Sequence, residues 1–422
     1  MKTKRLIGAA IAAASILSGM KASAQEDAGV KGWNFGPLPC VSYNSDLGFQ
    51  YGACADIFYY GDGSVFPDYL HRFYVEASTY TGGQSLLHAQ YDSKYLIPGV
   101  RVTGAVSWQY DPLYYFYGFN GSEAFDPALN LNPATGEARY NCQRSMLRIL
   151  LDLQGKLAGR LNWVAGTSFW GFGIQDFESK KYDPATSLYH QWVAEGKIDA
   201  SQAAGGMRLE MKAGLVYDTR NLEAAPSRGI WAEAYINGSP DLFGASGKGV
   251  WGGGYLKLAA HWRQYLPLVS DRLVLAYHLA YQGTLAGETP FYMLPVIYTL
   301  YLRQTGSEGL GGLNTVRGLI QNRLVGEGYA WANVELRWKL FEFKFIGQNW
   351  YLATNPFVDA GYVLQPYRPQ VFGVGSERFD VSAGLGLKLA MNENFIVSVE
   401  AAQVLGHSEY PMGLVIALNY LF

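Results

Sequence analysis

The chain has 422 residues, 15% of them aromatic, with 31 tyrosines and 50 glycines but only 16% charged residues. Basic and acidic side chains nearly balance at a formal charge of −2, which gives no reason to expect a nucleic-acid partner. Beyond the first residues no apolar run reaches the about 20 residues of a membrane helix, so any membrane crossing has to be made by strands.

The chain opens with a basic head, Lys2, Lys4 and Arg5, followed by an uncharged apolar stretch from Leu6 to Leu17 and the small residues Ala22, Ser23 and Ala24. This is the pattern of a cleaved secretory signal peptide over residues 1–24. Residues 25–36 are expected to form a short periplasmic segment with no domain of its own, and residues 37–422 to form the folded body.

From there the sequence alternates. In 208–220, Arg208, Glu210, Lys212, Asp218 and Arg220 share one face, and Leu209, Met211, Ala213, Leu215 and Tyr217 the other. In "ANVELRWKL", Asn333, Glu335, Arg337 and Lys339 oppose Val334, Leu336, Trp338 and Leu340. In "FDVSAGLGLKL", Phe379, Val381, Leu385, Leu387 and Leu389 oppose Asp380, Ser382 and Lys388. Such segments are strands with one face in lipid and one in a watery lumen. A cation on the lipid face at mid-membrane costs about 2–4 kcal/mol, so the parity of each strand is fixed.

Sixteen such segments can be placed, the first near 37–44 and the last at 411–422. The even-to-odd links near 98, 155, 268, 347 and 393 are short, and the long links, 111–139, 173–207 and 284–327, all fall at the other end. The expected fold is all-β: a sixteen-stranded antiparallel transmembrane β-barrel with a long loop between strands eleven and twelve. In the closing "GLVIALNYLF", Leu414, Ile416, Leu418, Tyr420 and Phe422 share a face, as in a lipid-facing last strand.

Four motifs occur in order along this pattern. "GGLNTVRGL" carries Gly311, Gly312, Val316, Arg317 and Gly318. "YDTRNLEAAPSRG" carries Asp218, Thr219, Arg220, Pro226, Arg228 and Gly229. "NVELRW" carries Asn333, Glu335 and Arg337, and "FVDAGYV" carries Phe357, Asp359 and Gly361. Together they resemble the BamA/TamA superfamily, the insertases and two-partner-secretion transporters of bacterial outer membranes, also called bacterial surface antigens. Two departures stand out. The family aromatic after Val-Arg-Gly is Leu319 here, and the periplasmic POTRA repeats of most members are absent.

The resemblance implies that the loop bearing Arg317 lies inside the barrel. An arginine withdrawn from water is costly unless its guanidinium is paired. Glu335 and Asp359, on adjacent strands with inward parity, are the expected partners, with Gly361 beside them on the wall. Gly311, Gly312 and Gly318 would let the loop turn sharply against it. Arg317 would then lock the loop and hold the lumen partly closed; the competing reading is a solvated arginine and two ordinary lumen carboxylates. The family also implies a weak seam between the first and last strands, bordered here by Cys40, Gly413 and Phe422. Pro37, Pro39 and Pro411 fit a seam that opens, although prolines at strand starts also occur in closed barrels.

No Gly-x-Ser-x-Gly elbow, His-Glu-x-x-His motif or phosphate loop is present ("GASGKG" around Lys248 lacks the required first glycine), so no enzyme, metal or cofactor is expected. Asp111, Glu123 and Asp126 in the external loops could bind cations, a solvated loop face being the plainer reading. Cys40, Cys54 and Cys142 are odd in number, and a Cys40–Cys54 bridge is neither demanded nor excluded. The expected role is insertion or translocation of proteins or lipids at the outer membrane. Expected partners are outer-membrane lipids including lipopolysaccharide, and separate periplasmic or lipoprotein subunits. The alternatives are a passive porin-like channel, or a surface antigen that docks partners through loop aromatics such as Tyr114, Tyr115, Phe116 and Tyr117.

Overall fold

The computed structural model describes residues 30–422 apart from 67, 224, 245–248, 301–307, 392–394 and 419. The expected leader at 1–24, the Lys248 stretch and the turn near 393 lie outside the described residues. Sixteen strands account for most of the rest. They begin with β1 (Trp33–Asn44), β2 (Gly48–Tyr59), β3 (His71–Tyr80), β4 (Ser85–Ile97) and β5 (Val100–Tyr115). Next come β6 (Asn141–Ala158), β7 (Leu161–Gln175), β8 (Gly205–Asp218), β9 (Gly229–Ser239), β10 (Tyr255–Val269) and β11 (Leu273–Gly287). The last five are β12 (Gly328–Phe345), β13 (Gln348–Gln365), β14 (Phe379–Met391), β15 (Phe395–Val404) and β16 (Gly413–Leu418). Every strand is antiparallel to its neighbours, and β1 meets β16 to close the cylinder.

The alternation decides what is inside. Leu215, Trp338 and Leu385 are 44%, 48% and 55% exposed on the outer face, whereas Arg208, Glu335 and Lys388 are 1%, 0% and 1% exposed within. A soluble protein sorts these residue types the other way. The outer face is therefore built for hydrocarbon, and the charges face a packed interior.

One rim is made mainly of tight turns, such as 98–99, 159–160 and 346–347, and the other carries the long loops 116–140, 176–204, 288–327 and 366–378. At the long-loop rim the aromatics pack together instead of facing outward. The ring of Phe119 lies 5.7 Å from Trp192, 5.0 Å from Tyr367 and 4.9 Å from Phe372. Trp192 comes from a short helix, α1 (Leu188–Ala194). Buried Asn120 ties two of the loops: its amide donates to the carbonyls of Tyr367 (2.7 Å) and Gly373 (2.9 Å) and accepts from the Tyr367 N–H at 2.6 Å.

Two alternatives left open by the sequence lose their support here. Tyr114, Phe116 and Tyr117 are buried, so they offer no exposed docking surface, because rings of this size stabilise far more when packed than in water. Nor do the three acids converge. Asp111 is buried on β5 beside Gln84, Glu123 pairs with Arg139 at 2.9 Å, and Asp126 caps the Ala128 N–H. Each has a local partner, and no shared cation site remains.

At the opposite mouth, link 219–228 reaches back across the opening. Glu223 lies 3.4 Å from Arg101 and 3.7 Å from Lys94, and Ser227 donates to Asp271 at 2.8 Å. The motif residues shape this strap. Arg220 grips Asp218 at 2.7 Å and stacks on Trp231 at 4.1 Å, and Gly229 stands where a Cβ would strike the Thr219 carbonyl.

Candidate functional site

The described residues between β11 and β12, 288–300 and 308–327, form an inner loop whose tip lies against the wall of β12–β15. Arg317 is at its centre, 2% exposed. Its Nε and Nη2 donate to the two oxygens of Asp359, both at 2.8 Å, and its main-chain N–H reaches the same carboxylate at 3.1 Å. Nη1 donates to Glu335 at 2.7 Å and lies 3.3 Å from both oxygens of Glu400. The guanidinium carbon sits 3.5 Å from the ring centre of Phe357.

The three acids have other cations. Arg337 donates to Glu335 at 3.0 Å and Lys388 to Glu400 at 2.8 Å. Three positive and three negative groups thus share one buried cluster with no net charge. That balance is what makes the burial tolerable, because an unpaired ion in such surroundings costs several kcal/mol. The expected partners Glu335 and Asp359 are both in place. Glu400 was missed, although it is the single charge on the inward face of "FIVSVEAAQV" and parity alone points it at the lumen.

Around the arginine the loop fits by the absence of side chains. A Cβ on Gly361 would stand 2.7 Å from Val316 Cγ2, and one on Gly413 would stand 2.7 Å from Gly318 Cα. Gly318 itself has φ +87, a left-handed conformation that costs other residues energy. Leu319 replaces the family aromatic without loss of the plug: it is buried with Leu310, Val316, Ile320 and Leu324. Gly311 and Gly312 make the turn that returns Gly312 N–H to the Leu319 carbonyl at 2.7 Å. Nearby on the loop, burial pushes the Glu308 carboxyl up to about 7, against the pull of its Asn314 partner.

The same loop touches the seam. Gln321 N–H donates to Asp46 in the β1–β2 turn at 2.9 Å, and Gly318 abuts Gly413, the first residue of β16. Below that point the seam is scarcely made. Among the described residues β1 pairs with β2 along twelve residues but with β16 only at Tyr43–Ile416 and Asn44–Val415. Ser45 N–H adds one bond to the Leu414 carbonyl at 3.0 Å.

Two features explain the gap. The Ser45 N–H points to β16, so by alternation the odd-numbered N–H groups of β1 lie on that edge, and Pro37 and Pro39 leave two of them blank. β1 is longer than expected, starting at Trp33, and its prolines sit mid-strand. β16 is shorter. It ends at Leu418, and Tyr420 and Phe422 turn into the lumen instead of continuing on the lipid face with Leu414, Ile416 and Leu418. Arg337 donates to the main-chain oxygen of Phe422 at 2.6 Å and stacks on Tyr420 at 4.2 Å, while the Phe422 ring lies 5.4 Å from His278. Buried cations supply these rings with face contacts that lipid cannot offer. Of the other seam residues, Cys40 donates to Glu76 at 3.4 Å, and no disulfide joins it to Cys54.

A lipid-facing closed cylinder with a loop folded against its inner wall and a partly made seam defines a transmembrane β-barrel. The Omp85 superfamily domain matches residues 165–393, and the chain belongs to that superfamily of outer-membrane barrels. Two solved structures share the fold. BamA from Haemophilus ducreyi lacking POTRA domains 1–3 superposes with TM-score 0.54 at 16% identity, covering 92% of this chain and 70% of that one. CdiB from Escherichia coli superposes with TM-score 0.55 at 12% identity, covering 92% of this chain and 62% of that one. The chain therefore spans roughly two thirds of the length of those structures. No curated protein sequence matches it.

Proposed function

We propose that this barrel takes part in inserting or translocating proteins, or lipids, at the outer membrane, with the β1–β16 seam as its working edge. The observation that carries the reading is the free side of β1 from Trp33 to Ser42, which has no ladder partner among the described residues. An extended segment can add to such an edge through main-chain bonds, with little demand on its sequence. Pro37 and Pro39 weaken the edge enough for the segment to leave again.

The closed mouths favour this over a porin-like channel. The aromatic cap packs across the long-loop rim, and the strap and the inward tail lie at the other, so a solute would have to displace packed rings at one end and the strap and tail at the other. A docking role through Tyr114, Phe116 and Tyr117 has no exposed surface to use. The surroundings in this reading are lipopolysaccharide-bearing lipid, with periplasmic or lipoprotein subunits delivering the client, since the described residues are occupied by the barrel and its loops.

The test is a lock on the seam. With Cys40, Cys54 and Cys142 replaced by alanine, Asn44→Cys with Val415→Cys places a pair at the one closed register. In proteoliposomes, oxidation of this pair is expected to stop insertion of an unfolded barrel client, and reduction to restore it. Full insertion by the oxidised barrel would remove the seam from the mechanism. Steady ion conductance by the locked barrel would favour the channel instead.

A further inference from the structure

Away from Arg317, a second buried network joins both arms of the inner loop to the wall. His261 on β10 and His278 on β11 face each other, with His261 Nδ1 3.0 Å from His278 Nε2. His261 Nε2 is 2.6 Å from the Tyr298 carbonyl, on the arm that enters the lumen. His278 Nδ1 is 3.1 Å from Oδ1 of Asn333. The other end of that amide, Nδ2, donates at 2.6 Å to the carbonyl of Thr315, two residues before Arg317.

We propose that the His261–His278 pair is a proton-operated catch: holding one proton more than two neutral imidazoles, it fastens the inner loop, and releasing that proton loosens the loop.

The inference is a count of hydrogens. Three gaps each need one: Tyr298 O to His261, His261 to His278, and His278 to Asn333 Oδ1. Carbonyl oxygens only accept, so the two outer gaps must be filled from the rings, and two neutral imidazoles carry two hydrogens for three gaps. Reversing the Asn333 amide does not help, because its oxygen would then meet the Thr315 carbonyl. Neutral rings therefore leave two lone pairs opposed across a buried contact, and one added proton satisfies all three. Arg263 Nη2, 3.4 Å from His261 Nδ1, also asks that nitrogen to accept, which places the extra hydrogen on His278.

Charge around the pair is nearly balanced. From β9, Glu233 lies 3.8 Å from His261 Nε2, and it also holds Arg263 at 3.3 Å. The inner loop adds the neutral Thr299, bonded to Glu233 at 2.9 Å. From β12, Trp331 presents a T-shaped contact to both rings, and Arg337 lies beyond the Phe422 ring that covers His278. Glu335 belongs to the Arg317 cluster and is already paired there. Glu233 draws a proton toward His261, whereas Arg263 and the burial of both rings oppose the added charge, so the pair takes up its extra proton only from an acidic medium.

Imidazole nitrogen NMR on the intact barrel in nanodiscs reads this directly, since the chain has six histidines and single replacements assign them. The measurement is made in a Glu308→Gln background, because Glu308 titrates in the same loop. As the medium acidifies, His278 is expected to gain its second N–H in a step shared with His261. Amide exchange across 311–320 should slow about tenfold in the same step, the effect of one charge-assisted hydrogen bond. In His278→Gln that slowing should vanish. Asn333→Asp gives a second reading, because a carboxylate facing His278 should move the ring transition to higher pH. Independent titration of the rings, loop exchange that is flat through the step, or a transition unmoved by Asn333→Asp would each overturn the catch.

Discussion

Replacing Arg317 by alanine removes the one member of the charge cluster that, among the described residues, comes from the loop. Three strand carboxylates, Asp359, Glu335 and Glu400, would then face two cations, Arg337 and Lys388. Asp359 loses most, because its bidentate partner and the Arg317 main-chain contact both depend on the loop's seating. Breaking a buried pair and stranding its partner costs about 3–5 kcal/mol. The apolar plug of Val316, Leu319 and Ile320 remains, so the expected result is a loop that opens locally in a barrel that still folds. Hydrogen exchange over 311–320 should rise by about two to three orders of magnitude, one decade for each 1.4 kcal/mol. Arg317→Lys should recover only part of this, since an ammonium cannot bridge two carboxylates in one plane. Adding Asp359→Asn to the alanine variant should restore protection by removing the stranded charge, a coupling that a double-mutant cycle isolates. Exchange in Arg317→Ala equal to the parent's, or strictly additive effects in the cycle, would refute the lock.

Gly413→Ala should push the inner loop off the seam, because its Cβ would come within 2.7 Å of Gly318 Cα; faster exchange at Gln321 with the other fifteen strands unchanged is the expected signature. Glu308 gives a pH dependence whose sign is fixed. Its folded value of about 7 lies above the ordinary 4.5, so its neutral form is favoured in the seated loop. That contribution is complete below about 4.5, falls as pH rises through about 7, and should be absent from Glu308→Gln when loop protection is followed across this range. Asn120→Asp should open the aromatic cap, since a carboxylate cannot donate to the carbonyls of Tyr367 and Gly373. A loss of about 2–4 kcal/mol is expected, read as protease cleavage within 366–378 at unchanged barrel content.

Parity made the barrel wall legible. Strands such as β8, β12 and β14 carry charges on one face, and only one register keeps those charges out of lipid. The lock was legible for the same reason: the positions of Glu335 and Asp359 follow from alternation once Arg317 is brought inside, and it was the family motif that brought it inside. What escaped reading depended on contacts between segments distant in sequence. Tyr420 and Phe422 continue the lipid-facing alternation of β16, and nothing local says that Arg337, roughly a fifth of the chain earlier, draws them into the lumen. Tyr114 to Tyr117 read as an exposed aromatic run because their packing partners lie elsewhere in the chain: Phe116 packs on Tyr189 and Trp192, and Tyr117 on Phe125 and Tyr140. The three external acids were scattered by neighbours as close as two residues and as far as 27, and no spacing rule anticipates that.

The blank positions at Pro37 and Pro39 bear on the protein's own assembly as well as on the proposed exchange of client segments. An uncovered strand edge is a template on which identical chains stack, most dangerously at high local concentration before the barrel reaches its membrane. Two consecutive missing donors on that edge interrupt any zipper started from either end. The molecule can thus leave part of its wall unsewn and still avoid sticking to its siblings.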